Sequence, residues 1–140
     1  MQADAVLRDK VFMRLLPQTG QEIPVLAHMA YDPQDPYAVT VNFTHGGWTY
    51  AEWRLDRDML RDALEGVTGG AVGEGDVRVW PEVNGTREEL CIELMHSAVF
   101  TAWAPSMRGF LDRTYAAVPA GEEHVELDAF LAEVLRTGSR

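Results

Sequence analysis

Residues 37–55, YAVTVNFTHGGWTYAEWRL, decide the fold of this chain. From Tyr37 to Phe43 apolar residues alternate with polar ones, which is the period of a strand with one buried face. Gly46-Gly47 then suits a tight turn, and Trp48 to Leu55 follows as a second strand-like run. The stretch therefore predicts an antiparallel β-hairpin.

Two further strand-like runs precede this hairpin, over residues 7–15 and 23–31. The segments that join these runs to each other and to the hairpin are short and rich in proline, glycine and aspartate, which favour turns. Short turns between consecutive strands are typical of an antiparallel meander and not of parallel βαβ units. The first half of the chain is therefore predicted to be a four-stranded meander.

The second half of the chain mixes strands and helices. Asp56 and Gly66 bracket a short amphipathic helix, and the glycine-rich segment 69–75 is predicted to be a loop. Strand-like runs follow at residues 76–80, 88–96 and 98–103. Pro105 then begins a helix, and another helix is predicted around residues 127–135. About eight strands, one helix midway and a C-terminal helix pair together predict an α+β domain.

Composition limits the class of protein. The chain has 140 residues, 46% of them hydrophobic, a net charge of −10 and one cysteine. The length indicates a single domain, 1–140, with enough core to fold without a metal or a disulfide. The acidic balance disfavours nucleic acid as a partner, because phosphate binding needs a basic stripe. Charges near the N-terminus and the lack of a long apolar run predict a cytoplasmic protein that does not insert into membranes.

The residues that carry chemistry form no recognisable catalytic or metal-binding motif. No histidines occur in a metal-ligand spacing, so no metal and no other cofactor is predicted. His45, beside the hairpin glycines, is either a solvated turn residue or a general base. Cys91, within a strand-like run, is either a buried inert thiol or a nucleophile. The structural interpretation is favoured for both residues.

Five residues are candidates for packing or interaction. Four are tryptophans in strand-like runs, where such residues pack in a core or against another subunit, or act as stacking platforms: Trp48, Trp53, Trp80 and Trp103. The fifth, Gly109, interrupts a helix at a cost of about 1 kcal/mol relative to alanine. A glycine at such a position permits close approach, either to the chain's own sheet or to a partner.

Three runs of the sequence resemble a known family. They are YDPQDPYAV at residues 31–39, GDVRVWP at 75–81 and FLDRTYAAVPAGEE at 110–123. The runs occur in the family's order, and the likeness extends from about Val11 to Leu135. On these runs the chain resembles the SsgA-like proteins, small acidic actinobacterial regulators of sporulation-specific cell division, with the SsgB-like branch preferred.

The resemblance implies a non-enzymatic protein that helps to position septa and to control cell-wall remodelling during sporulation. It implies recruitment of the tubulin-like GTPase FtsZ, in concert with an SsgA-type protein, so the expected location is the cytoplasm at the division septum. It also implies a Whirly-like fold, in which two antiparallel four-stranded sheets pack crosswise, and assembly as a homotrimer.

Two alternative functions are open at this point. A Whirly-like fold would suit single-stranded nucleic-acid binding, although a fold does not carry a function and the charge balance opposes this one. A small hydrolase would require His45 or Cys91 in a pocket together with a carboxylate.

Overall fold

The computed structural model describes residues 5–17, 20–66 and 70–123. Within these ranges the chain forms eight strands and two helices. The strands are β1 (Leu7–Leu16), β2 (Ile23–Tyr31), β3 (Ala38–His45), β4 (Trp48–Asp56), β5 (Val72–Glu74), β6 (Val77–Asn84), β7 (Arg87–Leu94) and β8 (Ala98–Trp103). The helices are α1 (Arg57–Glu65) and α2 (Ala104–Ala117).

All eight strands belong to one antiparallel sheet in the order β4-β3-β2-β1-β8-β7-β6-β5. The central strands β1 and β8 pair from Met13↔Ala102 to Leu16↔Val99, which joins the two halves of the chain edge to edge. The predicted Whirly-like arrangement of two four-stranded sheets packed crosswise is therefore wrong. The physical reason is that alternation along a strand shows which face is buried but not which distant strand completes its hydrogen bonds.

The sheet is curled into a half-barrel. Phe43 on β3 and Phe100 on β8 are three strand spacings apart, about 14 Å in a flat sheet. Their ring centroids are nevertheless only 4.1 Å apart, and both side chains are buried in the core. The curl folds this face of the sheet inward. We call it the inner face and the opposite one the outer face.

Both helices pack on the inner face. Helix α1 contacts β4, β5 and β6, whereas α2 contacts β1, β7 and β8, and the two helices touch each other. Leu60 of α1 and Phe110 and Leu111 of α2 belong to the same buried cluster as the inward side chains of the strands. Burying each large apolar side chain contributes about 1.5–3 kcal/mol, so this cluster is the main source of stability.

The predicted helix boundaries are confirmed. The Asp56 carboxylate accepts hydrogen bonds from the first turn of α1 at 2.8 and 3.3 Å. Gly66 ends the helix with a left-handed φ of 65°, and Pro105 lies in the first turn of α2. None of the helices in the described ranges is long and apolar enough to cross a membrane. The helix predicted around residues 127–135 lies outside those ranges.

The glycine-rich segment 69–75 is not only a loop, as the sequence predicted, because it contains the short edge strand β5. Gly73 pairs with Arg78 of β6. A Cβ atom at Gly73 would collide with the carbonyl oxygen of Val77. Glycine therefore lets the two strands approach each other here.

Candidate interaction surface

No helix of the described ranges covers the outer face, since both pack on the inner one. Successive side chains of a strand point to opposite faces. On β1, Val11 and Met13 are buried in the core, whereas Phe12 between them is 81% exposed. Phe12 therefore stands on the outer face of one of the two central strands. An exposed apolar side chain is informative where it joins a larger apolar patch.

Trp103 lies beside Phe12 on the outer face. Because Met13 faces Ala102 in the β1–β8 ladder, the antiparallel register places Phe12 opposite Trp103, which is 48% exposed. On its other side Phe12 faces Leu26 of β2, which is half-buried. Leu26, Phe12 and Trp103 thus cross three adjacent strands, and we call them the aromatic stripe.

A polar trough continues from the aromatic stripe along the same face. Lys10 and Arg8 precede Phe12 at alternate positions of β1, so all three side chains point outward. The trough measures about 460 Å³. It is lined by the outward side chains of Arg8, Lys10, His28, Ala30, Thr40, Asn42 and Glu52, together with Met29 and with Asp9, whose carboxylate lies 3.6 Å from Arg113.

Arg8 and Lys10 differ from the other basic residues that the structure describes. The side chains of all the others lie 3.7 Å or less from a carboxylate oxygen: Arg14, Arg54, Arg57, Arg61, Arg78, Arg87, Arg108 and Arg113. Arg8 and Lys10 are exposed and have no such carboxylate in the described part of the chain. Their charges are therefore available to a carboxylate from another molecule.

The four predicted tryptophans are not brought together. Trp48 lies at the β3–β4 hairpin and is 79% exposed, whereas Trp53 is half-buried against the core. Trp80 is half-buried, and its indole N–H donates to Glu82 at 3.4 Å. Only Trp103 belongs to the aromatic stripe. Phe12, which the sequence did not single out, completes the stripe.

Gly109 lies on the exposed side of α2. A Cβ atom there would have no neighbour within 4 Å among the described residues. Close packing against the chain's own sheet, one of the two interpretations of this glycine, thus has no support in that part of the structure. Contact with a partner stays a prediction.

His45 and Cys91 do not form a catalytic pair. His45 Nδ1 lies 2.7 Å from the carbonyl oxygen of Pro24. Cys91 is on β7, four strand spacings away from β3 in the sheet order. Burial, followed by the charges of Glu82 and Glu89, raises the pKa of the Cys91 thiol to about 12, so no thiolate is available at neutral pH. Nor do the described residues contain a group of three or more side chains suited to a metal ion.

A buried arginine that the sequence analysis did not single out joins two of the three family-like runs, residues 31–39 and 110–123. Arg57 begins α1 and is fully buried, and its guanidinium carbon lies 5.2 Å and 3.9 Å from the ring centroids of Tyr31 and Tyr115. Its Nη2 donates to the Glu123 carboxylate at 2.7 Å, and its Nη1 donates to two carbonyl groups at the end of α2. We call Arg57, Tyr31, Tyr115 and Glu123 the Arg57 cluster.

The ionisation of the Arg57 cluster is fixed by its own contacts. Hydrogen bonds from its own backbone N–H and from Arg57 lower the pKa of Glu123. Burial raises the pKa of Tyr31, and burial together with a hydrogen bond to Asp58 raises that of Tyr115. The phenols therefore stay neutral, and the Glu123 carboxylate stays charged. The cluster holds the first family-like run against the end of the third.

The sequence could not identify Arg57 as buried, because an arginine directly after a helix cap is usually solvated. The only sequence signal for a buried cation was indirect: Tyr31 and Tyr115, whose rings contact Arg57, lie in two distant family-like runs.

The fold and surface define a class of protein: a small α+β domain with one curled antiparallel sheet, helices on its inner face and exposed aromatic and cationic groups on its outer face. The family profile described as "Streptomyces sporulation and cell division protein, SsgA" matches residues 25–123. The sporulation-specific cell division protein SsgB of Streptomyces coelicolor is 38% identical over 131 residues, which cover 90% of this chain and 93% of that protein. The chain belongs to the SsgA family of sporulation and cell division proteins.

Solved structures agree with this assignment. The SsgA-like sporulation-specific cell division protein of Thermobifida fusca superposes with a TM-score of 0.84 at 31% identity, covering 95% of this chain and 98% of that one. A structure from work on SsgB mutations that correlate with longitudinal cell division during sporulation of Streptomyces coelicolor gives a TM-score of 0.77 at 36% identity, covering 89% of this chain and 97% of that one. The resemblance drawn from the three runs, with its preference for the SsgB-like branch, is confirmed.

Proposed function

We propose that this protein regulates sporulation-specific septation without catalysis, by positioning septa through contacts with FtsZ and an SsgA-type protein. The relatives that match it over most of its length are named sporulation-specific cell division proteins. The observation that carries the proposal is the outer face, which no described helix covers and where Phe12 and Trp103 are exposed beside two cations that have no carboxylate partner within residues 5–17, 20–66 and 70–123. Such a face suits protein contact. We place its action in the cytoplasm, at the division septum.

Co-sedimentation with FtsZ tests this proposal. Purified protein is centrifuged with FtsZ from the same organism, polymerised with GTP, and with unpolymerised FtsZ in GDP as the control. We expect the protein to pellet with the polymers, directly or when the SsgA-type protein is added. The proposal would be contradicted if the protein stayed in the supernatant with polymerised FtsZ, both without and with the SsgA-type protein.

We also propose that the protein works as a homotrimer. Sedimentation equilibrium then gives three times the 15.6 kDa of one chain. A monomer mass at the concentrations of the FtsZ assay would contradict this part of the proposal without affecting the other.

Nucleic-acid binding loses its basis as an alternative. The Whirly-like arrangement from which it came is wrong, since all eight strands form one sheet. A backbone-tracking site makes about 6–10 phosphate contacts, whereas only two of the described cations lack a carboxylate partner, on a chain of net charge −10.

A further inference from the structure

We propose that the outer face along β1 binds an extended segment of a partner protein in which two carboxylates at alternate positions are followed by a large apolar residue. The site consists of Arg8, Lys10 and the aromatic stripe. The inference deepens the proposed function by giving the surface and the chemistry of the contact, and it rests on that function in taking the partner to be a protein.

The spacing along β1 sets the pattern of the partner segment. Arg8, Lys10 and Phe12 point outward at positions i, i+2 and i+4, about 6.6 Å apart along the strand. An extended peptide lying along β1 repeats its own side chains at the same interval. In a peptide running in the same direction as β1, two acidic residues two positions apart would therefore meet the two cations, and an apolar residue two positions further on would meet Phe12. Arg14, the next outward residue, is already bound to Glu22 and Glu89.

The apolar part of the site is the aromatic stripe. Phe12 is 81% exposed and Trp103 is 48% exposed, so an apolar side chain laid between them would bury much of both rings. Aromatic residues bury about 150–250 Å² each and dominate the energetics of protein interfaces. Phe12 is therefore expected to be the anchor of the contact.

The polar part of the site favours carboxylates on the β1 side. Glu52 lies across the trough on β4, so it repels acidic groups from that side. The floor between them includes Asn42, whose Oδ1 is buried and has no hydrogen-bond partner among the residues that the structure describes. The site therefore has a cationic edge at β1 for carboxylates and a hydrogen-bond acceptor in its floor, which suits a backbone N–H of the peptide.

Other occupants fit less well. A second copy of this chain that met the site with the same face would set Arg8 and Lys10 against their own counterparts, and repulsion between like charges opposes that contact. The homotrimer proposed above is taken to form through other surfaces. Single-stranded nucleic acid could stack on Phe12 and Trp103, but the described part of the chain offers only two cations without a carboxylate partner, which are few for its backbone. An acidic and apolar peptide segment satisfies both parts of the site.

A peptide titration tests the site. The full-length, isotope-labelled protein is titrated with the peptide acetyl-GEAEAFSG-amide while its amide and indole NMR signals are followed. The control peptides are GQAQAFSG, which lacks the charges, and GEAEAASG, which lacks the ring. We expect shifts confined to residues 8–12, to β2 and to the Trp103 indole, and an affinity reduced about tenfold or more without the charges.

Matched variants separate the two parts of the site. R8E/K10E is expected to lower the affinity for acetyl-GEAEAFSG-amide about tenfold or more. R78E/R108E makes the same change of charge elsewhere on the protein, and the affinity for the peptide should stay unchanged. F12A is expected to lower the affinity severalfold, whereas V83A, at another exposed apolar residue, has no effect. Circular dichroism and thermal unfolding check that each variant is folded.

Each outcome bears on the inference. It is overturned if millimolar peptide causes no shifts, or if the peptide binds R8E/K10E as tightly as wild type. It is also overturned if a twenty-nucleotide oligo-dT binds more tightly than the peptide at physiological salt, or if F12A causes an oligomer of the protein to dissociate. Binding of FtsZ by R8E/K10E and wild type alike, without peptide binding, removes the inference and leaves the proposed function. Peptide binding on this face without FtsZ binding leaves the inference and removes the contact with FtsZ from the proposed function.

Discussion

The guanidinium carbon of Arg57 lies 3.9 Å from the centroid of the Tyr115 ring. This cation–π contact joins the N-terminus of α1 to the C-terminal part of α2 inside the protein. Glu123 compensates the charge at 2.7 Å. The first and third family-like runs, 31–39 and 110–123, therefore meet around one buried cation that belongs to neither.

Replacing Arg57 should be among the most destabilising single changes in this chain. Arg57→Ala is expected to lower the free energy of unfolding by about 3–5 kcal/mol, because it leaves the buried Glu123 carboxylate without its partner. Arg108→Ala is the control, since its ion pair with Glu88 is exposed and contributes less than about 1 kcal/mol. Urea unfolding at pH 7 measures both.

Equal losses in the two variants would contradict a stabilising role for the Arg57 cluster. If Arg57→Ala does not fold, Glu123→Gln gives the same information. It keeps a hydrogen-bond acceptor for Arg57 but removes the charge, and should lower the free energy of unfolding by about 1–3 kcal/mol.

Glu89 should make stability depend on acid pH. Its side chain is 3% exposed and accepts hydrogen bonds from Arg14 and Arg87. Burial acts to raise the pKa of this carboxyl, but the hydrogen bond from Arg87 and the charge of Arg14 outweigh it, and the pKa lies below its ordinary value. A carboxyl whose pKa is lower in the folded state stabilises the protein above about pH 4.3, its unfolded value, and loses this effect as the pH falls through the folded value.

The measurement is the free energy of unfolding between about pH 7 and pH 3. For Glu89→Gln we expect a lower stability at pH 7 and a smaller loss on acidification than for wild type. Glu88→Gln, at the exposed neighbouring position, should follow the wild-type curve. Parallel curves for wild type and Glu89→Gln would show that Glu89 is not the group responsible.

The parts of the fold that depend on neighbours in sequence could be predicted, and those that depend on distant pairing could not. The cap at Asp56 and the end of α1 at Gly66 follow from local backbone chemistry. The pairing of Met13 with Ala102 does not, because no local pattern specifies it. The division into two sheets was implied by the family resemblance, and the pattern of the strands could not correct it.

The same distinction holds for the candidate interaction surface. Trp103 was a candidate because it is a tryptophan in a strand-like run, whereas the alternation along β1 indicated the buried side chains of that strand and not Phe12. Only the register of β1 against β8 shows that the two rings share a face. Arg57 was missed because burial of an arginine depends on partners that are distant in sequence.

The turn between β7 and β8 should be easy to stabilise. Met95 and His96 have left-handed φ angles of 58° and 60°, which cost a non-glycine residue about 1–2 kcal/mol each. Asn-Gly is the residue pair that suits such a turn. M95N/H96G should therefore raise the free energy of unfolding by about 1 kcal/mol or more in urea. M95A is the control and should give no gain, and a loss in the Asn-Gly variant would contradict this backbone geometry.

Cys91 should be unreactive in the folded protein. With its pKa raised to about 12, only about one thiol in 10⁴ is ionised at pH 8, and the side chain is buried. Iodoacetamide should therefore leave native protein unmodified over hours but label it within minutes in urea, as mass spectrometry can follow. Rapid labelling of the native protein would restore Cys91 as a candidate nucleophile.

The central claim, that this protein regulates sporulation septation, is tested most directly by counting septa in its own host after deletion of its gene. A fluorescent FtsZ fusion marks the division sites, and re-introduction of the wild-type gene or of a C91A variant controls for other effects. The account predicts that regularly spaced FtsZ rings and sporulation septa are lost on deletion and restored by both genes. Septa and FtsZ rings unchanged in number and spacing would contradict it.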